Sequence, residues 1–377
     1  MIGMRNELLT WVAALCLLMV ACGEPNIETD VRINEIQVIG SHNSYKQPID
    51  DSVMTLIAQS DTATARSLDY SHLPIDQQLD IGVRKFEIDL FHDPQGGRYA
   101  NPLGIAMAEQ AGLPALAPYD VEGRMQAPGF KVLHVQDIDF RSHHPTFKDC
   151  LETMLTWSDR NRRHVPIYVM IECKSNPIDR PGFTVPLPFT KAALDSIDEE
   201  ILNVIPRERI ITPDEIRGTH ETLEEAVRTG VAWPKLSDAR GRFLFFMLTR
   251  DDRRALYTDG HPSLRERVMF VTAPPGNPEA AVLKLDNPVR SAEEIEERVM
   301  QGYIVRTRAD AGTKQARTGD RTRFEAALTS GAQIISSDYY VDDPRFEPDY
   351  AVSFESKTVA RFNPVLRPNR ADHHTIE

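Results

Sequence analysis

PIYVMIECK, residues 166–174, carries the pattern that decides the fold. Residues 167–171 are all apolar or aromatic, so both faces of the strand that they predict would be buried. Strands buried on both faces are typical of parallel sheets covered by helices. Charge returns only at the end of the run, at Glu172 and Lys174. We therefore expect an α/β protein whose polar side chains gather where its strands end.

Strand signals and helix signals alternate along the rest of the chain. The predicted strands are 35–40, 83–91, 130–137, 166–174, 241–249, 268–273, 302–310 and 332–340, and 281–287 either extends or replaces the sixth. Between them, Thr146 with Asp149 and Thr222 with Glu225 have the spacing of helix capping boxes. Eight strands alternating with helices predict a (β/α)8 TIM barrel. An open doubly wound sheet is the alternative, but no glycine-rich phosphate loop follows the first strand.

The first 22 residues predict export. Arg5 precedes an apolar run over residues 8–21, which is short for a membrane-spanning helix and typical of a secretory signal. LMVAC, residues 18–22, is similar to a bacterial lipoprotein box, which would make Cys22 a lipid anchor. The alternative is an ordinary signal peptide cut nearby, with Cys22 incidental. Both place the protein outside the cytoplasm, either anchored to a membrane or periplasmic or secreted.

The remaining chain divides into three parts. Residues 23–34 are polar and predict a tether, residues 35–345 the barrel, and residues 346–377 a tail that covers it. The net charge of −13 argues against nucleic-acid binding and against membrane capture by a basic surface. Cys150 and Cys173 are the cysteines beyond the N-terminal segment, and in an exported protein they predict one disulfide.

Polar residues cluster at the predicted C-terminal ends of the strands. Glu87 and Asp89 share one face of their strand because side chains alternate. Two such close carboxylates need a cation to offset their repulsion. The other strand-end residues are His134, Glu172, Lys174, Arg306 and Arg308. Any one of these residues alone more often has a structural role. Barrel enzymes, however, place their active sites at this end, and here all of the residues lie at it.

Four motifs carry a resemblance to a known family. GSHNSY (40–45), FEIDLF (86–91), LHV (133–135) and MIECK (170–174), in this order, resemble the catalytic X region of phosphoinositide-specific phospholipase C. The resemblance covers roughly residues 36–340 and is greatest to the bacterial calcium-dependent, phospholipase-C1-like family. It implies a TIM barrel of the PLC-like phosphodiesterase type. Lys46 departs from it, because a histidine is expected after HNSY, and this puts substrate contacts in doubt.

The resemblance implies a catalytic pair, His42 and His134, and a calcium site. Its calcium ligands map onto Asn43, Glu87, Asp89 and Glu172. The residue types agree independently, because amide and carboxylate oxygens suit a hard cation such as Ca²⁺. The implied partner is a phospholipid substrate at a membrane surface, and the sequence indicates no obligate protein partner.

The implied reaction is calcium-dependent cleavage of phosphatidylinositol-type lipids. An inositol hydroxyl attacks phosphorus, diacylglycerol leaves, and a cyclic inositol phosphate forms. We expect His42 to act as the acid and His134 to stabilise the charged transition state. The base stays open between Glu87, Glu172 and a histidine. Candidate phosphate or headgroup contacts, with structural ion pairs as the alternative, are Lys174, Lys284, Arg306 and Arg308.

Three other functions fit part of these observations. A glycerophosphodiester phosphodiesterase would use a similar barrel and calcium site, but it normally has His-Arg-Gly where this chain has SHNSY. A non-catalytic lipoprotein that binds inositol lipids would not need His42 and His134. A phosphodiesterase acting on another anionic diester is a third, because the fold does not fix the headgroup.

Overall fold

The computed structural model describes residues 30–370 and 376–377. Within them the chain forms ten strands. They are β1 (Ile36–Ser41), β2 (Lys85–Phe91), β3 (Lys131–Val132), β4 (Ile167–Cys173), β5 (Phe243–Leu248), β6 (Phe270–Val271), β7 (Val282–Lys284), β8 (Ile304–Arg308), β9 (Ile334–Ser337) and β10 (Ala360–Phe362).

Eight of these strands close into a parallel barrel. They run in the order β6-β5-β4-β2-β1-β9-β8-β7, and a parallel bridge between Thr272 and Val282 joins the two ends of this series. Because all eight are parallel, their C-terminal ends form one mouth. The predicted (β/α)8 barrel is confirmed.

Two strand predictions need correction. Residues 130–137 do not form a barrel strand, because only Lys131–Val132 is extended and it pairs antiparallel with the end of β2. The eighth barrel strand is instead β7, within the 281–287 run that we placed as an extension or replacement of the sixth. The alternation of apolar and polar residues in 130–137 therefore predicted a strand, but it did not predict that the strand is short, antiparallel and outside the barrel.

Helices surround the barrel. They are α1 (Asp51–Ser60), α2 (Thr62–Leu68), α3 (Ile75–Asp80), α4 (Leu103–Gln110), α5 (Phe147–Arg160), α6 (Lys191–Val204), α7 (Pro213–Arg217), α8 (Leu223–Arg228), α9 (Leu236–Ala239), α10 (Asp251–Thr258), α11 (Ala292–Met300), α12 (Lys314–Thr318) and α13 (Thr322–Thr329). Short 3₁₀ helices cover Ile33–Glu35, Arg124–Gln126, Arg207–Arg209, Pro262–Leu264, Glu355–Lys357 and Pro368–Arg370. The predicted capping boxes begin α5 at Thr146 and α8 at Thr222. No helix in the described ranges is both long and apolar enough to cross a membrane.

The two ends of the described chain pack on the barrel. Residues 31–34, which we assigned to the tether, contact the core, because Val31 and Ile33 are buried. In the C-terminal segment, β10 pairs antiparallel with the first half of β1. The predicted signal segment and Cys22 lie outside the described residues, and export stays a prediction.

The predicted disulfide between Cys150 and Cys173 is wrong. Both cysteines are free and buried. Their sulfurs face different neighbours: Cys173 Sγ lies 3.7 Å from Met247 Sδ on β5, and Cys150 Sγ lies 4.0 Å from the carbonyl oxygen of His144. Burial raises the pKa of Cys173 to about 12 and that of Cys150 well above its ordinary value, so both behave as apolar packing groups.

Candidate active site and metal centre

Glu87 is buried inside the barrel, on the inner face of β2. Its Oε2 accepts hydrogen bonds from Lys85 Nζ at 2.7 Å and from Arg306 Nη2 at 2.8 Å. Burial alone would raise the pKa of Glu87, but Lys85 and Arg306 bring it well below its ordinary value. Glu87 is therefore held as an anion, and its Oε1 faces His42, whose Nε2 lies 3.6 Å away.

A glycine on β1 makes this arrangement possible. A Cβ on Gly40 would come within 2.6 Å of Lys85 Cβ and 2.7 Å of Lys85 Cδ, closer than real Cβ contacts. Without it, the Lys85 stem crosses the inside of β1, and its ammonium also donates to the carbonyl oxygen of Ser41 at 3.0 Å. The glycine before SHNSY is thus a packing requirement of the buried lysine.

Asp89 and Glu172 complete a group of three carboxylates. β2 and β4 pair in a register that sets Asp89 beside Glu172, and one ligand atom from each of Glu87, Asp89 and Glu172 lies within 4.8 Å of the others. Asp89 is fully buried, and neither of its oxygens meets a hydrogen-bond donor in good geometry among the described residues. Burial raises the pKa of Asp89 to about 7.

Positive charge is unevenly distributed around this carboxylate group. Lys174 is its nearest cation beyond the two that hold Glu87, with Nζ 3.2 Å from Asp89 Oδ2 and 3.6 Å from Glu172 Oε1. One ammonium shared by two carboxylates leaves an excess of negative charge in a buried place. A divalent cation with oxygen ligands would balance that excess, so the residues present fit calcium.

Asn43 lies in the loop that follows β1, in a left-handed conformation with φ 51°. The backbone N–H of the next residue, Ser44, donates to the carbonyl oxygen of Glu87 at 2.9 Å, which ties the loop to β2. Asn43 Nδ2 donates to Tyr70 Oη at 2.7 Å. This hydrogen bond fixes the amide and leaves Oδ1 as the atom that could bind a cation.

His42 is held by a buried aspartate at the end of β9. Its Nδ1 lies 2.8 Å from Asp338 Oδ1, and because a carboxylate only accepts, Nδ1 carries the proton. Arg308 Nη1 lies 3.2 Å from His42 Nε2, and Arg308 Nη2 donates to Asp338 Oδ2 at 2.7 Å. Burial, followed by the charge of Arg308, lowers the pKa of His42.

His134 has a similar support from another part of the chain. Its Nδ1 lies 2.7 Å from Asp139 Oδ2, and Asp139 is 1% exposed. The loop is closed by backbone hydrogen bonds from the N–H groups of His134 and Val135 to the carbonyl oxygen of Asp139. The position of His134 therefore depends on this tight loop and not on a barrel strand.

The four basic residues predicted to contact phosphate all form ion pairs. Arg306 joins Glu87 to Asp286, and Lys284 also contacts Asp286. Lys174 lies between Asp89 and Glu172, and Arg308 contacts Asp338. The structure therefore contains the ion pairs that we gave as the alternative to phosphate contact. A role in binding substrate stays a prediction for each of the four residues.

Three residues that matter here were missed in the sequence. Asp338 directly follows β9, the last strand of the barrel in chain order, so the rule that located the other rim residues would also have found it. Lys85 shares the inward face of Glu87 by the same alternation. Asp139 gives no such signal, because it lies in a loop whose closure onto His134 depends on tertiary structure.

Comparison with known proteins identifies the family of this chain. The model of the family described as calcium-dependent phosphoinositide phospholipase C matches residues 31–364. No curated protein sequence gives a significant match. The chain belongs to the calcium-dependent phosphoinositide phospholipase C family and is a phosphoric diester hydrolase of that type. The glycerophosphodiesterase alternative is accordingly disfavoured.

Solved structures show the same fold. One crystal form of the apo calcium-dependent phosphoinositol-specific phospholipase C from a Gram-negative Pseudomonas species is 14% identical, with a TM-score of 0.54, covering 90% of this chain and 97% of that one. The myoinositol complex of the Pseudomonas enzyme is 15% identical, with a TM-score of 0.52, covering 88% and 95%. At such low identity this likeness concerns the barrel alone.

We expect Asp89→Asn to weaken calcium binding by about 10-fold or more, because it removes a charge from a buried ligand group. Titration calorimetry of the lipid-free protein with CaCl₂ measures this. Asp198→Asn is the matched control: Asp198 is a buried carboxylate on α6 that accepts from Tyr257 Oη at 2.7 Å, away from the site. Equal calcium affinities in the two variants would contradict the ligand assignment.

Proposed function

We propose that this chain cleaves phosphatidylinositol-type lipids with His42 and His134 as its catalytic pair and with calcium held by Asn43, Glu87, Asp89 and Glu172. The observation that carries the proposal is the pairing of each histidine with a buried aspartate. In both rings Nδ1 donates to a carboxylate, which leaves Nε2 to exchange a proton with substrate.

The reaction needs two proton movements. The inositol hydroxyl beside the phosphate loses its proton as its oxygen forms a bond to phosphorus. The bond from phosphorus to the glycerol oxygen breaks, and that oxygen takes up a proton as diacylglycerol leaves. The other product is a cyclic inositol phosphate. We assign the proton delivered to the glycerol oxygen to His42 Nε2, because Asp338 fixes the ring beside Glu87. Nε2 accepts from Arg308 in this structure, so the ring takes up this proton from solvent when Arg308 turns from His42 to the phosphate.

The carboxylates divide into two roles. Glu87 has one oxygen engaged by Lys85 and Arg306, which fixes its position. Glu172 is partly exposed, and its one ion pair among the described residues is with Lys174 Nζ at 3.6 Å, so it is the freer carboxylate to take the proton of the attacking hydroxyl. Calcium, when bound, lowers the pKa of a bound hydroxyl and neutralises charge on the phosphate.

The phosphate would find positive charge at the mouth. Arg308 and Lys174 are both partly exposed, whereas Arg306 is fully buried. We assign phosphate contact to Arg308, whose guanidinium already reaches His42 Nε2, and to Lys174. Arg306 is a structural cation of the barrel interior, since Glu87 and Asp286 occupy its guanidinium.

A membrane surface is the proposed setting. Val121 is 81% exposed and Val185 is 61% exposed, and both lie in connections that leave the C-terminal ends of barrel strands. Exposed apolar side chains on the mouth side would contact lipid next to the site.

We expect His42→Ala to lower kcat on phosphatidylinositol by about 10²–10⁴-fold, the usual contribution of a general acid or base. A substrate whose leaving group departs as a stable anion, such as p-nitrophenyl inositol phosphate, needs no acid. The defect of His42→Ala should therefore shrink on that substrate, while the defect of His134→Ala persists. The measurement is the release of inositol phosphate or nitrophenolate at saturating calcium.

Two results would change the assignment. If the defects of both variants stay the same on the two substrates, His42 is not the acid. If His134→Ala is the variant that improves, the two roles are exchanged. Failure of the wild-type protein to release inositol phosphate from phosphatidylinositol would reject the proposed function itself.

Replacement of Val121 and Val185 by Asp should lower activity on phosphatidylinositol vesicles several-fold, because a buried charge opposes contact with lipid. Activity on a monomeric short-chain phosphatidylinositol should not change. Val231→Asp is the control, since Val231 is 60% exposed in the connection that leads to β5, at the opposite end of the barrel. An equal loss on both substrates would reject membrane contact here.

We also infer export and anchoring through Cys22, from the N-terminal sequence alone. Full-length protein expressed in a Gram-negative host should fractionate with membranes, and Cys22→Ser should move it to the soluble periplasm. Membrane association of the Cys22→Ser protein would leave an exported protein without this anchor.

A further inference from the structure

Lys46, the residue that departs from the family resemblance, contacts both halves of the site. It is fully buried. Its Nζ lies 3.4 Å from Asp139 Oδ1 and donates to the carbonyl oxygen of Tyr70 at 2.8 Å. The same ammonium lies 4.8 Å from the centre of the Tyr70 ring.

Each of these neighbours supports a different functional residue. Asp139 Oδ2 fixes His134 Nδ1 at 2.7 Å. Tyr70 Oη accepts from Asn43 Nδ2 at 2.7 Å. The Lys46 ammonium therefore contacts one residue, Asp139, that binds His134, and another, Tyr70, that binds the proposed calcium ligand Asn43.

Asp139 depends on this ammonium. The carboxylate is buried, and its Oδ1 has no hydrogen-bond donor in good geometry within the described residues, so Lys46 is the cation that offsets the charge on that oxygen. Removing one member of a buried ion pair leaves an uncompensated charge, which the protein relieves by protonation or rearrangement. Rearrangement would break the hydrogen bond that fixes Nδ1 of His134, and protonation would weaken it by removing the charge from its acceptor.

Tyr70 is held by the same contacts. A cation over an aromatic ring is attracted to its face, and the hydrogen bond to the Tyr70 carbonyl fixes the backbone at that point. The phenol then lies where Asn43 can donate to it. The flexible stem of a lysine lets one ammonium reach both Asp139 and Tyr70.

We propose that Lys46 is a positioning residue that holds His134 through Asp139 and Asn43 through Tyr70. The part that concerns His134 rests on the proposed function. The part that concerns Asn43 rests only on the calcium site. Lys46 touches no reacting atom, and its effect passes entirely through these two contacts.

The test is Lys46→Met, which keeps the length of the side chain and removes the charge. We expect kcat on phosphatidylinositol to fall by about 10–100-fold, with KM nearly unchanged, since supporting residues of a metal site have effects of this size. Calcium affinity, measured by titration calorimetry without lipid, should fall by about 10-fold. A purely structural role would lower the melting temperature and leave both quantities alone.

Arg267→Met is the matched control. Arg267 is also buried, and it pairs with Asp195 at 2.6 Å and Asp198 at 3.5 Å. It precedes β6, at the end of the barrel opposite the mouth. We expect this variant to lose thermal stability but to keep wild-type kcat and calcium affinity.

A double variant, Lys46→Met with Asp139→Asn, guards against misfolding of the single one. It has no unpaired buried carboxylate, so it should regain stability. Its kcat should stay low, because a neutral amide does not replace the carboxylate that orients a catalytic imidazole. Recovery of both stability and kcat would overturn the proposal, since the charges would then serve folding alone.

The readouts also separate two kinds of failure. If the wild-type protein does not turn over phosphatidylinositol, the proposed function fails, and the calcium titration still decides the contact with Tyr70 and Asn43. If the wild type is active while Lys46→Met matches Arg267→Met in kcat and calcium affinity, the inference about Lys46 alone is overturned.

Discussion

The site depends on one buried carboxylate, Glu87, held between Lys85 and Arg306 inside the barrel. A charge in this position is costly unless cations and hydrogen bonds surround it. Its cations come from the same strand and from β8, which β1 and β9 separate from β2, so the ion pair with Arg306 forms only when the sheet curves enough to bring the inner faces of β2 and β8 together. Gly40 then follows as a requirement, because the Lys85 stem occupies the place of a Cβ.

The same charge balance locates the proposed calcium. Glu87 is paired with two cations, Lys85 and Arg306, whereas Asp89 and Glu172 have one cation, Lys174, between them. The uncompensated negative charge is therefore on the buried Asp89 and on Glu172, which is partly exposed. A bound cation there would neutralise the negative charge that Lys174 alone does not offset. This is a physical reason for calcium that does not depend on the family name.

The features of the fold and of the site that follow from local periodicity could be predicted from the sequence. Alternation along β2 and β4 placed Glu87, Asp89 and Glu172 at one rim, and the alternation of strands with helices gave the barrel. It was insufficient where tertiary contacts decide. The run around His134 has strand-like alternation but closes into a loop on Asp139, and Cys173 packs against Met247 instead of bonding to a second cysteine.

The paired aspartates also bear on whether the barrel only binds lipid. Asp338 and Asp139 are almost completely buried, and buried ion pairs contribute little net stability compared with apolar residues of similar size. A lipid-binding protein would need cations for the phosphate, but it would have no use for two imidazoles whose Nδ1 protons are fixed. Fixing them makes Nε2 the atom of each ring that would exchange a proton with substrate, an arrangement that would benefit a chemical step and not binding alone.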